Sequence, residues 1–220
     1  MNHTAIILPT AYLPPVSWWV IAVYYENILL ENHETYPKQT YRNRCHIFSA
    51  NGRQALSIPV TKPDGNHTLT SGIRIDYSKS WQMNHWRSIE AAYARTPYFI
   101  YYRDFLYPYY TSKFENLVDF NHQLINQLMS IMKLKITTAF TNDYVFQDPS
   151  TDYRVLVHPK KDISETGFIA YPRYMQAFEP KHGFIPNLSI IDLIFHEGPA
   201  SSAYLRNIAA KSFNEQSGAQ

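Results

Sequence analysis

The run Lys38-Gln39-Thr40-Tyr41-Arg42-Asn43-Arg44 crowds three cations together, with no acidic residue between Tyr36 and Asn51. If the segment is extended, Lys38, Thr40, Arg42 and Arg44 share one face, because side chains alternate along a strand. Cations so placed repel one another unless an anion, or counter-charges from elsewhere in the chain, lie among them. The arginine fork matches phosphate and carboxylate oxygens in pairs. The segment is therefore expected to line a concave anion site, or else to be a solvated edge strand whose charges deter aggregation. His85 falls on the apolar face of an expected helix. There it is either a general acid or base near a pocket or a satisfied core histidine. Glu90, five residues on, does not face it. Tyr12 follows the first expected strand in a proline-bounded loop, the position where α/β sheets bind ligands; the alternative is a plug under that loop. Asp192 follows Ile190-Ile191 in an expected helix. A buried carboxylate needs a partner, and Arg42 or Arg44 would serve, unless Asp192 faces water. His196 and Glu197 are expected to be exposed.

The elements that must position these residues can be read in outline. Residues 5–8 form an apolar run before Pro9 and read as a buried strand. Pro9, Pro14 and Pro15 make the following stretch a loop. Residues 17–25 read as a helix with Ser17 as N-cap, and residues 27–31 as a second strand, the opening of a βαβ unit. Residues 45–60 read as a hairpin turning at Asn51-Gly52, a pair suited to positive φ. Residues 73–77 are a strand candidate. Trp81, His85, Ser88 and Ala92, with Ile89 beside them, share one face of a helix over residues 80–95. A longer helix over residues 112–133 carries the stripe Leu117, Phe120, Leu124, Leu128 and Ile131, with Ser112 as its cap. Residues 134–139 read as a strand. Residues 187–197 read as a helix closed by Gly198 and Pro199. Residues 61–72 and 160–167 read as surface loops.

Several function classes lose support from composition. The chain has 20 Lys and Arg against 18 Asp and Glu, with no basic run. Nucleic-acid binding, whose affinity comes from neutralising phosphates, is not expected. The single cysteine, Cys45, permits no internal disulfide and fits a reducing, cytoplasmic setting. The longest apolar stretch, residues 16–25, is too short to span a bilayer. No metal-ligand spacing occurs, nor a nucleophile elbow or glycine-rich phosphate loop, and the sequence leaves the cofactor unknown.

Taken in order, these pieces resemble the WbqC-like protein family. The resemblance begins at Leu8-Pro9-Thr10-Ala11-Tyr12-Leu13-Pro14, similar to the family's opening loop, although many members carry glutamine where Leu8 stands. It continues through Tyr41-Arg42-Asn43-Arg44, Asn51-Gly52 and Leu56-Ser57-Ile58-Pro59-Val60. Trp81, His85, Ser88-Ile89, Ala92-Tyr93 and Pro97-Tyr98-Phe99 follow. The match closes at residues 188–195 and Gly198. The resemblance implies a place in surface-polysaccharide (O-antigen type) biosynthesis and gives no reaction. The opening also looks distantly like nucleotidyltransferases that set a strand, a loop and a helix around a nucleotide phosphate, but their HxGH motif is absent here.

The expected architecture is α/β, a mainly parallel sheet with flanking helices and an inserted β-hairpin; the alternative is α+β. One domain is expected over residues 1–213, with a disordered tail over 214–220. Two functions remain open. The first is a transferase or ligase acting on a small anionic substrate, such as a nucleotide sugar or sugar phosphate. There Lys38, Arg42 and Arg44 hold charge, Asn43 and Asp192 help to bind, Tyr12 closes a wall and His85 moves a proton. The second is a non-catalytic glycan-binding or assembly protein.

Overall fold

The computed structural model describes residues 5–146, 148, 151–161 and 168–217. Its centre is a parallel sheet. β1 (Ile6–Pro9) leads through α1 (Val16–Tyr25) to β2 (Asn27–Glu31), which pairs in parallel with β1 from Ile6↔Ile28 to Pro9↔Glu31. The other edge of β1 is covered as well. The Ile7 amide donates to the Thr151 carbonyl at 2.8 Å, and the Tyr153 amide donates to the Ile7 carbonyl at 3.0 Å. A strand paired on both sides and covered on both faces has no polar side to show, which is why β1 is a continuous apolar run.

The inserted hairpin is β3 (Arg44–Ser49) against β4 (Gly52–Ser57), a separate antiparallel pair. Its turn differs from the expected one. Ser49 pairs with Gly52, so Ala50 and Asn51 are the central residues, and of the three only Gly52 has positive φ, at +94°. A type I′ turn needs positive φ at both central residues. The chain instead uses its glycine one place later, and the Ser49 hydroxyl steadies the loop on the Gly52 carbonyl at 3.0 Å. β5 (Val60–Thr61) and β6 (Arg74–Ile75) form a second small antiparallel pair.

α2 (Trp81–Tyr93) buries Trp81, His85, Ile89 and Ala92 on one face, as the spacing predicts, with Trp86 beside them, whereas Ser88 of the expected face is only half-buried. α3 (Phe99–Leu106) and α4 (Pro108–Thr111) follow, an aromatic stretch to which the sequence reading assigns no element. α5 (Leu117–Ile131) begins five residues later than expected. Ser112 is extended, and Asn116 is the cap, its side-chain oxygen accepting from the Val118 amide at 2.7 Å. β7 (Thr137–Phe140) then joins β2 in parallel, giving the sheet order β1-β2-β7. After α6 (Glu179–His182) come α7 (Ile190–Glu197) and α8 (Ser201–Ser217). α8 carries helix past Asn214, the expected start of the tail, whose residues 218–220 lie outside the described residues.

α1 is buried from Val16 to Val23. Its start is also not the expected one. Pro15 stands at the N-cap, and Ser17 lies inside the helix. The first amides are satisfied from far along the chain: Val16 donates to the Leu188 carbonyl at 3.0 Å, and Ser17 to the Asn187 side chain at 2.9 Å. The N-terminus of α1 is thus closed by the protein itself, unlike a helix that receives a phosphate.

Gly198 ends α7 with φ +53°, and a Cβ built there would lie 2.5 Å from the Tyr98 ring. Backbone strain and overpacking then act together. Gly198→Ala is expected to cost about 2 kcal/mol in urea unfolding. A variant as stable as the parent would show that α7 does not need this close approach.

Candidate functional site

The parallel segments end on one edge, and each delivers a polar residue there. Thr10 follows β1, Glu31 ends β2, Thr141 follows β7, and Arg154 follows residues 151–153. All four are buried. The Glu31 carboxylate accepts from the His33 amide at 2.6 Å, the Val145 amide at 3.0 Å and the Thr141 hydroxyl at 3.2 Å. Arg154 reaches Glu31 at 3.5 Å and Glu34 at 3.6 Å, and grips Asp152 at 2.7 Å. Arg42 grips Glu34 with Nε at 2.8 Å and with Nη2. Two guanidinium groups thus meet three carboxylates outside the carboxyl ends of the strands. Of the five side chains, Glu34 is the most open, at 15%. Burial raises its pKa, with Arg42 and Arg154 working against that rise. Charges this deep persist only when paired.

Further cations gather around this network. Burial pushes the Tyr36 hydroxyl up to about 12, while nearby Arg42 and Arg44 pull it down. That hydroxyl is enclosed without a hydrogen-bond partner among the described residues, and the Lys62 ammonium stands 5.0 Å from the ring centroid. On another side, burial lowers His158, and Lys161, Arg42 and Lys160 push it the same way.

The expected strip of cations is not a strip. Residues 38–43 are bends and turns, with Gln39 at φ +58°. Strand alternation therefore does not apply, and Lys38, Arg42 and Arg44 part company. Lys38 is exposed. Arg42 turns inward to Glu34. Arg44, the first residue of β3, bonds the Ser57 hydroxyl at 2.9 Å. Asn43 ties the base of the hairpin: its side chain donates to the Ile58 carbonyl at 2.8 Å, and its own carbonyl accepts from the Ile58 amide at 2.8 Å.

The partners of Asp192 are likewise other than expected. It is fully enclosed and accepts from the Tyr174 hydroxyl at 2.6 Å and the Gln176 amide at 2.9 Å. Burial raises its pKa, opposed first by His196 and then by these hydrogen bonds. His196, expected at the surface, is buried: Nδ1 bonds the Asp192 carbonyl at 2.7 Å and Nε2 accepts from the Ala177 amide at 3.0 Å. This cluster pins residues 174–177 to α7.

Tyr12 and His85 do come together. The Tyr12 hydroxyl lies 3.0 Å from His85 Nδ1 and 2.8 Å from the Tyr110 hydroxyl. Burial lowers His85 to about 4, against a hydrogen bond with the Ser57 carbonyl that raises it. The ring is therefore neutral at pH 7, with Nδ1 accepting from Tyr12, which in turn accepts from Tyr110. Trp81 and Phe120 pack around this chain of groups. It lies beneath the sheet edge and is tied to it: the Tyr12 amide donates to the Tyr41 carbonyl at 2.9 Å, and Asn121 donates to the Arg42 carbonyl at 2.7 Å.

Sequence reasoning missed Glu31, Glu34, Asn121, Asp152 and Arg154. A signal was present for the first two, since they stand at and just beyond the end of an expected strand, the rule already applied to Tyr12. Cys45 is buried, and burial pushes its thiol up. No group of three or more metal-binding side chains occurs among the described residues. No described helix is long and apolar enough to cross a membrane.

These elements define an α/β protein with small antiparallel additions and a closed ionic network at the carboxyl edge of a short parallel sheet. The chain belongs to the WbqC-like protein family, which it matches over residues 10–169. It is similar to an uncharacterised protein of Mycobacterium tuberculosis, 25% identical over 226 residues that cover 91% of this chain and 96% of that one. No solved structure matches it significantly.

Proposed function

We propose that the protein is a cytoplasmic transferase or ligase acting on a nucleotide-linked or phosphorylated precursor in surface-polysaccharide biosynthesis. The observation that carries this reading is the convergence of Thr10, Glu31, Glu34, Arg42, Thr141 and Arg154 outside the carboxyl ends of the parallel segments, where sheets of this kind hold their ligands. The paired arginines shape the edge. The anionic group of the substrate meets the outer cations: Lys160 and Lys161 by His158, and Arg44 near Tyr36. Tyr12, hydrogen-bonded to His85, is tied to the segment that carries Arg42, and Asn43 closes the base of the hairpin that follows.

A thermal-shift screen against nucleotide sugars, nucleotides and sugar phosphates tests the proposal, because a ligand of the native state raises Tm by mass action. At least one phosphorylated compound is expected to raise Tm. The double variant Lys160→Ala/Lys161→Ala should lose that shift with its unliganded Tm unchanged. No shift with any phosphorylated compound, or an undiminished shift in the double variant, overturns the reading. A second reading, a non-catalytic glycan-binding or assembly protein, draws on the exposed rings of α3, where Tyr101 is 68% and Phe105 52% exposed.

A further inference from the structure

Two hollows flank one of those rings. The first, of 320 Å³, lies between α3, the end of α5 and the start of α8, with Tyr102, Ser130 and Ser202 in its walls. The second, of 260 Å³, lies between α3–α4 and α5, with Tyr109, Phe114 and Gln123 in its walls. Phe105 and Gln127 line both. Tyr107 keeps helical angles between α3 and α4. Tyr101, Phe105 and Tyr109 therefore recur every four residues along one side, with a rise of about 6 Å between them. The Tyr109 ring is held in place: it stacks on Phe114 within 7° of parallel, and its hydroxyl donates to the Gln123 carbonyl at 3.1 Å.

The lining has a definite chemistry. Among the described residues, Lys133 is the one charged residue in the walls of the two hollows; the other polar side chains are the amides of Gln123 and Gln127 and the hydroxyls of Ser112, Ser130, Ser202, Tyr102 and Tyr109. An anion finds little to pair with there. An apolar helix, or a second copy of the chain, would leave that ring of amides and hydroxyls dry and unpaired, at a cost. A sugar ring satisfies both parts at once: its C–H face lies on an aromatic face and its hydroxyls reach the amides. We propose that this groove binds a neutral oligosaccharide, with sugar residues seated on either side of Phe105. The groove gives the second reading its ligand class, and it stands equally if the sheet edge is a transferase site.

Affinity electrophoresis in native gels cast with neutral polysaccharides (an α-glucan, a β-glucan, a mannan and a galactan) tests the groove without involving the sheet edge. At least one polymer is expected to retard the protein. Phe105→Ala should weaken that retention about tenfold, the order expected for a lost aromatic contact. Phe105→Leu, which keeps apolar cover and removes the flat ring, should weaken it similarly with Tm unchanged. Ile100→Ala, at a position 70% exposed on the other flank of α3, should bind as the parent does. Retardation by none of the polymers overturns the proposal, as does undiminished retention in Phe105→Leu. A dimer in sedimentation equilibrium that Phe105→Ala dissolves overturns it too, in favour of self-association.

Discussion

Arg42→Ala is expected to lower the free energy of unfolding by about 3–5 kcal/mol, and Arg44→Ala by less than about 1 kcal/mol. The two arginines stand two residues apart and are chemically identical, so the contrast rests on placement alone. The Arg42 side chain is 4% exposed and holds Glu34 with two nitrogens. Removing it leaves a largely enclosed carboxylate facing Glu31, with only the longer 3.6 Å contact to Arg154 in compensation. Arg44 is half-buried and makes a single bond to a serine hydroxyl that water can replace. Urea unfolding of both variants measures the difference. Arg42→Met combined with Glu34→Leu is expected to recover most of the loss, because it removes the charge pair while keeping its volume. If Arg42→Ala is as mild as Arg44→Ala, the network is not the structural clamp described.

The second large effect concerns acid. Stability is expected to fall as pH drops from about 6.5 to about 4, and His85→Gln is expected to remove the share of that fall that His85 contributes. The unfolded imidazole takes up a proton near pH 6.5. In the folded protein His85 resists until about 4. Between those values the unfolded state binds more protons, so stability declines with falling pH and stops declining on this account below 4. For a ring this well enclosed the span is worth about 3 kcal/mol. His46 acts in the same direction, lowered to about 4 by burial and by Arg53 and Arg44. Glu34 and Asp192, both raised by burial, act in the opposite direction as they take up protons. The informative quantity is therefore the parent curve minus the His85→Gln curve, from denaturant titrations at pH 4 to 7. Parallel curves would show that His85 is not held neutral by the fold. The groups facing the ring, Tyr12, Trp81 and the Ser57 carbonyl, supply no negative charge to soften the effect.

Much of the frame was legible because hydrophobic period and local turn chemistry agree. β2 falls on the expected residues, and the buried face of α2 has the expected phase. The two misplaced caps share a cause. Ser112 and Ser17 are adequate caps by local preference, but tertiary partners decided otherwise: Asn116 reaches the first amides of α5, and Leu188 and Asn187 close α1. α8 was readable, since Leu205, Ile208, Ala209 and Phe213 recur at helical spacing and are buried. α3 was not, because its rings lie on all sides and only Phe99 and Leu106 are buried.

The site was legible only in part. Tyr12 and His85 were each chosen for separate reasons, and nothing in the sequence says that they touch. Arg42 was chosen for its charge and lies at the sheet edge, but the alternation argument that grouped it with Lys38 and Arg44 required an extended segment. Its counter-ion sits eight residues upstream, and Arg154 arrives from more than a hundred residues downstream. Sequence proximity holds no record of either partner.

The closure of α1 also bears on how the chain is made. Its first amides wait for residues about 170 positions later, one edge of β1 waits for residues 151–153, and α1 packs against α8. A ribosome delivers these parts in the opposite order. The apolar run from Val16 to Val23, with two tryptophans that end up wholly enclosed, is made long before the residues that cover it. Completion of the β1-α1 unit therefore waits until α8 has been made, and the growing chain must be kept from aggregating through that run until then.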